Sequence, residues 1–275
     1  MSSESGVFSI LHLSDIHATQ GKLLYGQIDG LARLRQVGDY VATAGMTPEL
    51  VLVTGDLAER GHSGVYPEVN MALSELGRRV AAPVLTVLGN HDVQSNARIL
   101  TGHESGHYRS VMIGSLRIVL LDSSSGSLGP EQLSWLTSEL GTSRGTGTVI
   151  ALHHCPVPSP LPTLSRTGLR DAAQFARAIA GSDVRLILAG HYHHPMSATF
   201  AGVPVSVGPS LAYHQIMNAG PDQVSGHDQA MFSLVQLADG QVSTAPISLH
   251  PDPPLFTSPA PQYHFAPNPK EQLCL

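Results

Sequence analysis

Short apolar runs alternate with amphipathic segments between residues 7 and 88, and this alternation limits the fold more than any other feature of the sequence. Residues 7–13, 50–54 and 83–88 have the length and the apolar content of buried strands. Between them, residues 28–44 and 67–80 carry apolar side chains at helical steps of three and four. A β-α-β-α-β order predicts parallel strands that are joined by helical crossovers.

The second half of the chain continues this pattern with a larger share of strand. We predict helices at residues 130–140 and 169–180, and strands at residues 115–122, 148–152, 184–189, 198–200, 203–207, 231–237 and 241–247. Two halves that each supply strands and helices predict an α/β fold, a four-layer α-β-β-α sandwich of two mixed sheets flanked by helices. Residues 1–250 would form one domain, and the proline-rich residues 251–275 would form a tail.

Composition and charge narrow the functions that fit the chain. The net charge of −6 over 275 residues disfavours a nucleic-acid polymer as partner, because such proteins carry a basic face. A small anionic substrate still fits if bound metal ions attract it. The chain has only two cysteines, Cys155 and Cys274, and no basic leader or apolar run of the roughly 20 residues that cross a bilayer. We therefore expect a cytoplasmic protein without a transmembrane segment.

Five polar motifs directly follow five of the predicted strands. In open α/β sheets the carboxyl ends of the strands form the ligand-binding edge, so we expect these motifs to converge in space. Several contain a glycine before a polar residue, which would let the backbone turn sharply and approach an ion closely. The motifs are Asp15-Ile16-His17, Gly55-Asp56, Gly89-Asn90-His91-Asp92, His153-His154 and Gly190-His191-Tyr192-His193.

The polar residues of these motifs are of the types that bind metal ions. Any one of them alone could equally be a capping or hydrogen-bonded side chain, but the set is specific. Seven candidate ligands are too many for one tetrahedral ion and suit two ions that share a carboxylate. Nitrogen and oxygen donors permit Fe, Mn, Zn or Co, and we favour iron and manganese. The candidates are Asp15, His17, Asp56, Asn90, His153, His191 and His193.

The order of the five motifs resembles the pattern of the calcineurin-like metallophosphoesterase family: D-x-H, G-D, G-N-H-D/E, a lone H, and G-H-x-H. The resemblance covers about residues 11–193. It implies that residues 1–250 are a catalytic domain with a dinuclear metal site at the carboxyl ends of the strands. It also implies a hydroxide that bridges the two ions and acts as the nucleophile.

The resemblance further implies a role for each residue. Asp15, His17 and His193 would hold the first metal ion. Asn90, His153 and His191 would hold the second, and Asp56 would bridge the two. His91 would protonate the leaving oxygen while Asp92 orients its imidazole. Asn90, His91 and His193 would contact the phosphate of the substrate.

Within the family the chain looks most like the class III cyclic-nucleotide phosphodiesterases. Longer runs carry this likeness up to residue 208, namely LHLSDIH, LLYGQID, VLVTGDLAERG, LGNHD, ILALHHCPVPS, LAGHYH and ATFAGVPVSVG. The likeness implies hydrolysis of 3′,5′-cyclic nucleotides, cAMP above all, to nucleoside monophosphates. A homodimer, as similar enzymes form, would be compatible with the sequence.

Two departures from the family pattern keep alternatives open. The chain has His153-His154-Cys155-Pro156 where relatives often have His-His-Pro-Pro, which leaves the role of His154 open. Residues 123–127 (SSSGS) replace a histidine-rich segment that contacts substrate in some relatives. Glycerophosphodiesters or other small phosphodiesters are therefore alternative substrates. A metal-free scaffold with the same fold is the alternative of another class, although every ligand is present here.

Overall fold

The computed structural model describes residues 6–216, 220, 222–251 and 253–259. The first sheet has the strand order β13-β12-β1-β2-β3. Its parallel part consists of β1 (Phe8–Leu13), β2 (Leu50–Thr54) and β3 (Val84–Val87). On the other side of β1 lie β12 (Met231–Ala238) and β13 (Gln241–Ser248), which pair in antiparallel fashion.

The second sheet has the strand order β4-β5-β6-β7-β9-β8. Its four inner strands run parallel, and the two outer strands run antiparallel to their neighbours. The six strands are β4 (Arg109–Ile113), β5 (Leu116–Leu120), β6 (Thr148–Ala151), β7 (Val184–Ala189), β8 (Met196–Phe200) and β9 (Val203–Val207). A separate antiparallel hairpin is formed by β10 (His214–Ile216) and β11 (Ser225–His227).

Helices cover the outer face of each sheet. The described helices are α1 (Gly30–Thr43), α2 (Tyr66–Val80), α3 (Gln94–Ala97), α4 (Gly129–Leu140) and α5 (Ala172–Ile179), together with a single 3₁₀ turn at Ser63–Val65. The Asp29 side chain caps α1 by accepting a hydrogen bond from the Ala32 N–H at 2.9 Å. This cap explains why the helix begins at Gly30 rather than at residue 28. Among the described residues, every helix is too short or too polar to span a bilayer.

The apolar clusters confirm the predicted α-β-β-α sandwich. Alternate side chains of a strand point to opposite faces of its sheet. Ile10 and Leu52 of the first sheet therefore meet Leu120 and Leu188 of the second in a buried layer between the sheets. The intervening residues of β1 and β2 pack against α1 and α2, and those of β5–β7 pack against α4 and α5. The sandwich thus encloses three apolar layers.

The predicted strands and helices agree with the structure apart from their ends. Strand β4, the β10–β11 hairpin and α3 were not predicted. Strand β4 lies at a sheet edge and is only partly buried, so it lacks the continuous apolar character that marked its neighbours. The predicted tail at residues 251–275 lies largely outside the described residues, and the division at residue 250 stays a prediction.

Candidate metal centre

The five polar motifs converge at one edge of the sandwich, as their position after the strands predicted. Strands β1, β2, β3, β6 and β7 each end within three residues of a predicted ligand. The polar atoms of Asp15, His17, Asp56 and His193 lie within 4.8 Å of one another, and those of His153, His154 and His191 form a second group of the same kind. The first group therefore combines strand ends of both sheets, while the second follows β6 and β7 of the second sheet.

Asp56 connects the two groups. Its Oδ2 atom lies 3.6 Å from His17 Nε2 in the first group and 3.4 Å from His153 Nε2 in the second. Asn90 joins the second group through its Oδ1 atom, 3.2 Å from His153 Nε2. All seven predicted ligands thus meet around one buried carboxylate, which is 2% exposed.

Three of the histidines present the same nitrogen to this centre. Their Nδ1 atoms each face an oxygen outside the centre: Glu59 Oε2 at 2.6 Å for His17, the Thr54 carbonyl at 2.7 Å for His153 and the Tyr213 carbonyl at 3.0 Å for His193. Because these oxygens can only accept, Nδ1 carries the proton in each ring. When such a ring is neutral, its lone pair lies on Nε2, which points into the centre, an arrangement typical of metal-binding histidines.

The distances between these donor atoms fit divalent metal ions. His17 Nε2 and His193 Nε2 are 3.1 Å apart, and His153 Nε2 and His191 Nδ1 are 3.2 Å apart. Donors that share an ion with bonds of about 2.1 Å are separated by about 3.0–3.4 Å. Asp15 Oδ1 is buried and accepts no hydrogen bond from any described residue, which leaves it to bind a cation. The donor set therefore fits metal ions.

The electrostatics of the centre also favour the binding of cations. Burial alone would raise the pKa of Asp56, but the facing imidazoles of His153, His17 and His91 hold it well below its usual range. Burial alone would lower the pKa of His153, yet Asp56 and Asp15 raise it to about 9. The buried carboxylates thus stay ionised and favour positive charge beside them, which bound divalent ions supply.

The backbone at the predicted ligands is strained. Eight described non-glycine residues have a positive φ, and five of them are Asp15, His17, Asp56, His191 and His193. Such conformations cost about 1–3 kcal/mol each and concentrate at functional sites. Contacts between the strand-end loops maintain them. The N–H groups of Asp15 and His17 donate to the carbonyls of Gly55 and Asp56 at 3.0 and 2.9 Å.

The glycines of the motifs allow this close approach, as predicted. A Cβ atom on Gly55, which has a φ of 91°, would lie 2.6 Å from His153 Nδ1 and 2.7 Å from the Gly89 nitrogen. A Cβ atom on Gly190 would lie 2.9 Å from the Thr54 carbonyl and 3.0 Å from Asp15 Oδ2. Since these distances are shorter than van der Waals contact, larger residues at these positions would push the strand ends apart.

His91 lies beside the centre in an orientation that suits an acid. Its backbone N–H donates to Asp56 Oδ1 at 2.8 Å, and its ring contacts the His17 ring at a centroid distance of 4.7 Å. Burial alone would lower the pKa of His91, but the Glu59 and Asp56 carboxylates raise it above its ordinary value. With Nδ1 held 3.2 Å from Glu59 Oε1, Nε2 is the nitrogen left to act on a substrate.

The structure corrects the expectation that Asp92 orients the His91 imidazole. The Asp92 carboxylate accepts hydrogen bonds from the N–H groups of Leu57, Ala58 and Gly89 at 2.8–3.1 Å and from the Tyr66 hydroxyl at 3.0 Å. Asp92 therefore ties the loop after β2 to the loop after β3. Its side chain faces the backbone of these loops. The carboxylate beside the His91 ring is that of Glu59.

Replacing Asp92 with alanine should therefore lower the stability of the fold. The three N–H groups would lose their acceptor, and we expect the free energy of unfolding to fall by about 2–3 kcal/mol. Urea denaturation would measure this change. The matched control is Asp39→Ala on α1, where the side chain is 57% exposed and a change within about 0.5 kcal/mol is expected. An Asp92→Ala protein as stable as the control would contradict this account of Asp92.

Glu59 is a site residue that the sequence did not reveal. Its two carboxylate oxygens contact His17 and His91, which joins a predicted ligand to the predicted acid. It lies in the run VLVTGDLAERG, three residues after Asp56, but nothing in that run points to a role in the site. We expect Glu59→Gln to lower kcat about 10–100-fold, in the range found for residues that orient metal ligands.

The pH profile would separate this role from a loss of folding. His91 must be protonated to act as an acid, and Glu59 raises its pKa. Without that carboxylate, activity should begin to fall at a lower pH on the alkaline side than it does in the wild type. Glu68→Gln on the exposed start of α2 is the control and should keep the wild-type profile. An unshifted alkaline limb in Glu59→Gln would contradict the assignment.

Residues 123–127 form one wall beside the second group, of which His154 is a member. The N–H groups of His153 and His154 donate to Ser123 Oγ at 3.2 and 3.0 Å. Ser124 and Ser125 line an open cavity of about 270 Å³ together with Asn90, His154, His191, Arg166 and Arg170. Residues 123–127 lack histidine but lie next to the centre. The guanidinium groups of Arg166 and Arg170 line the same cavity.

Three further polar or reactive side chains are packed in the interior of the protein. His12 is buried, and its Nε2 lies 2.9 Å from Thr54 Oγ1. Burial raises the pKa of the Cys155 thiol to about 12, so this side chain is a packed and unreactive group. Tyr192 is buried, and its hydroxyl donates to the Val157 carbonyl at 3.0 Å.

A two-sheet sandwich that carries a buried carboxylate between two groups of nitrogen and oxygen ligands defines a metal-dependent hydrolase of phosphate esters. The chain belongs to the calcineurin-like phosphoesterase family, whose sequence profile matches residues 8–195. This match confirms the family resemblance and the prediction of an enzyme. The retained group of metal-binding side chains argues against the metal-free scaffold.

Relatives support this placement. A probable cyclic nucleotide phosphodiesterase of Rhodococcus erythropolis is 36% identical over 88% of this chain and 84% of its own length. A cAMP/cGMP dual specificity phosphodiesterase of Mycobacterium tuberculosis is 36% identical over 81% of this chain and 73% of its own. A dimetal phosphatase from Danio rerio is 13% identical and superposes with a TM-score of 0.62 over 88% of this chain and 96% of that chain. This last likeness concerns the fold alone.

Proposed function

We propose that this chain hydrolyses 3′,5′-cyclic nucleotides, cAMP among them, to nucleoside monophosphates. The observation that carries the proposal is the pair of ligand groups joined by Asp56, with the His91 ring beside them. The substrate class is supported by the two relatives at 36% identity, which are both cyclic nucleotide phosphodiesterases by name. The reaction adds water to phosphorus and breaks one bond between phosphorus and a ribose oxygen.

In this proposal Asp15, His17 and His193 hold one metal ion, and Asn90, His153 and His191 hold the other. Asp56 is shared. When bound, the ions supply an activated water molecule and neutralise the charge on the phosphate oxygens. The nitrogen and oxygen donors are compatible with iron and manganese, which we favour. Glu59, Thr54 and Tyr213 fix the protons of three histidine ligands, His17, His153 and His193, on Nδ1.

His91 completes the reaction as the acid. Its Nε2 would donate a proton to the ribose oxygen as the bond to phosphorus breaks, while Glu59 holds Nδ1. Asn90, His91 and His193 would contact the phosphate, since all three face the centre. A cytoplasmic location belongs to the same proposal and is supported by the low cysteine content. A homodimer stays a prediction.

A substrate panel tests the proposal. The protein would be loaded with manganese or iron and assayed with 3′,5′-cAMP, 3′,5′-cGMP, 2′,3′-cAMP, glycerophosphocholine and bis(p-nitrophenyl) phosphate. We expect the highest kcat/KM among the natural esters for a 3′,5′-cyclic nucleotide, and no turnover by Asp56→Asn protein prepared in parallel. Hydrolysis of bis(p-nitrophenyl) phosphate without turnover of any cyclic nucleotide would reject cyclic nucleotides as substrates. It would still be consistent with a phosphodiesterase. A higher kcat/KM for glycerophosphocholine would favour the alternative class of small diesters.

A further inference from the structure

A cavity of about 580 Å³ opens beside the first ligand group. Residues of the loop before α1 and of the β10–β11 hairpin line it, among them Tyr25, Tyr213, Gln215 and Val224. It is distinct from the arginine-lined cavity described above, since the two share no lining residues. Its volume falls within the range of about 300–1,000 Å³ that is usual for small-molecule sites.

Tyr213 lines this cavity and also contacts two of the proposed metal ligands. Its ring packs against the His193 ring at a centroid distance of 4.2 Å, and the centroid of the His17 ring lies 5.8 Å away. Its backbone carbonyl accepts the His193 Nδ1 proton at 3.0 Å. A molecule whose phosphate lies at the centre could therefore reach the cavity with the rest of its structure.

The lining offers an exposed aromatic surface. The Tyr25 and Tyr213 rings meet edge to face at 5.5 Å, and Tyr25 remains 69% exposed. Tyr25 has a φ of 50°, which non-glycine residues rarely adopt, and the Ile28 N–H bonded to the Leu24 carbonyl at 3.0 Å closes the turn that holds it. Backbone strain of this kind concentrates at functional sites. The strained Tyr25 presents its ring to solvent beside the metal centre, which points to contact with a ligand.

A hydrogen-bond acceptor lies in the same lining. Gln215 Oε1 is buried and finds no donor among the described residues. Buried polar atoms are nearly always paired, so this oxygen is suited to a ligand that donates a hydrogen bond. The exocyclic amino group of a purine base is such a donor, and the flat base is suited to stacking on tyrosine.

We propose that this cavity is the base subsite of the enzyme, where a purine packs on Tyr25 and Tyr213 and its amino group donates to Gln215 Oε1. The inference rests on the proposed nucleotide substrate and names the part of the site that selects it. Tyr25, Tyr213 and Gln215 act as specificity-determining residues. They lie outside the five motifs that hold the metal ions.

The test measures base binding without requiring turnover of a cyclic nucleotide. The substrate would be bis(p-nitrophenyl) phosphate, hydrolysed by the metal-loaded enzyme. The inhibition constants of 5′-AMP, 5′-IMP and ribose 5-phosphate would be measured against this reaction. We expect 5′-AMP to inhibit about 10-fold more strongly than ribose 5-phosphate, since stacking of one base contributes about that much. Tyr25→Ala should remove most of this preference, and Tyr25→Phe, which keeps the ring, should retain it.

Two further variants complete the test. Leu23→Ala, at an exposed residue of the same loop that does not line the cavity, should leave the preference unchanged. Gln215→Leu should bring inhibition by 5′-AMP and 5′-IMP, which lacks the amino group, close to equality. Equal inhibition by 5′-AMP and ribose 5-phosphate in the wild type, or a preference that survives in Tyr25→Ala, would overturn the base subsite. Either result is independent of cAMP turnover, which decides the proposed function separately.

Discussion

Replacing Asp56 with alanine should remove both metal ions and reduce hydrolysis to background. The Oδ2 atom of Asp56 faces His17 on one side and His153 on the other, so each ligand group loses a donor when this carboxylate is removed. Its Oδ1 atom also accepts the His91 N–H at 2.8 Å, which fixes the position of the acid. Loss of any other ligand should weaken mainly one group, so we expect the largest effect at Asp56.

The choice of variant matters because Asp56 has a φ of 49°. Asparagine tolerates this conformation better than alanine does, and its amide oxygen can still accept the His91 N–H. Asp56→Asn should therefore fold and yet lose its metal ions, since it lacks the charge. Elemental analysis and kcat for both variants would be compared with Asp39→Ala, an exposed aspartate on α1. A variant that retains one ion per chain and measurable turnover would show that Asp56 is not shared.

Replacing His91 with alanine should lower kcat by about 10²–10⁴ while the metal content stays near that of the wild type. The imidazole contacts Glu59 and lies nearly perpendicular to the His17 ring. Its nitrogens group with His17 and Glu59 but are in neither ligand group around Asp56. The backbone N–H that donates to Asp56 is present in alanine as well. The loss should be smallest for p-nitrophenyl esters, because their leaving group needs no proton.

The comparison between esters identifies the role of His91. His250→Ala, at an exposed residue near the end of the described chain, is the matched control and should keep wild-type kinetics and metal content. If His91→Ala lowered kcat equally for a cyclic nucleotide and a p-nitrophenyl ester, the role of His91 as the acid would be excluded. Loss of metal ions from the His91→Ala protein would instead show that His91 is a metal ligand.

Much of the scaffold could be predicted from the sequence because the central strands are buried on both faces. Strands β2 and β7 have the predicted bounds, and their continuous apolar runs leave little ambiguity. The β10–β11 hairpin was missed because its strands of three residues have no apolar pattern. Its importance arises only from the tertiary structure, which brings it against the loop at Tyr25.

The candidate site also contains residues that the sequence predicted and residues that it did not. The convergence of the seven proposed ligands could be predicted because each follows a strand whose position is clear from the sequence. Glu59 could not, since its contact with His17 joins residues 42 positions apart and depends on the path of the loop after β2. Asp92 was given the wrong partner because adjacency in sequence does not decide where a side chain points. The left-handed backbone at Asp15 and His193 likewise has no signature in the sequence.

Anomalous diffraction from crystals of the manganese-loaded protein is the most direct test of the central claim. We predict two peaks about 3.5–4 Å apart, with the Asp56 carboxylate between them and His17 and His153 on opposite sides. The first peak should contact Asp15 and His193, and the second should contact Asn90 and His191. A single peak, or two peaks that do not share Asp56, would contradict the account of a two-metal phosphoesterase.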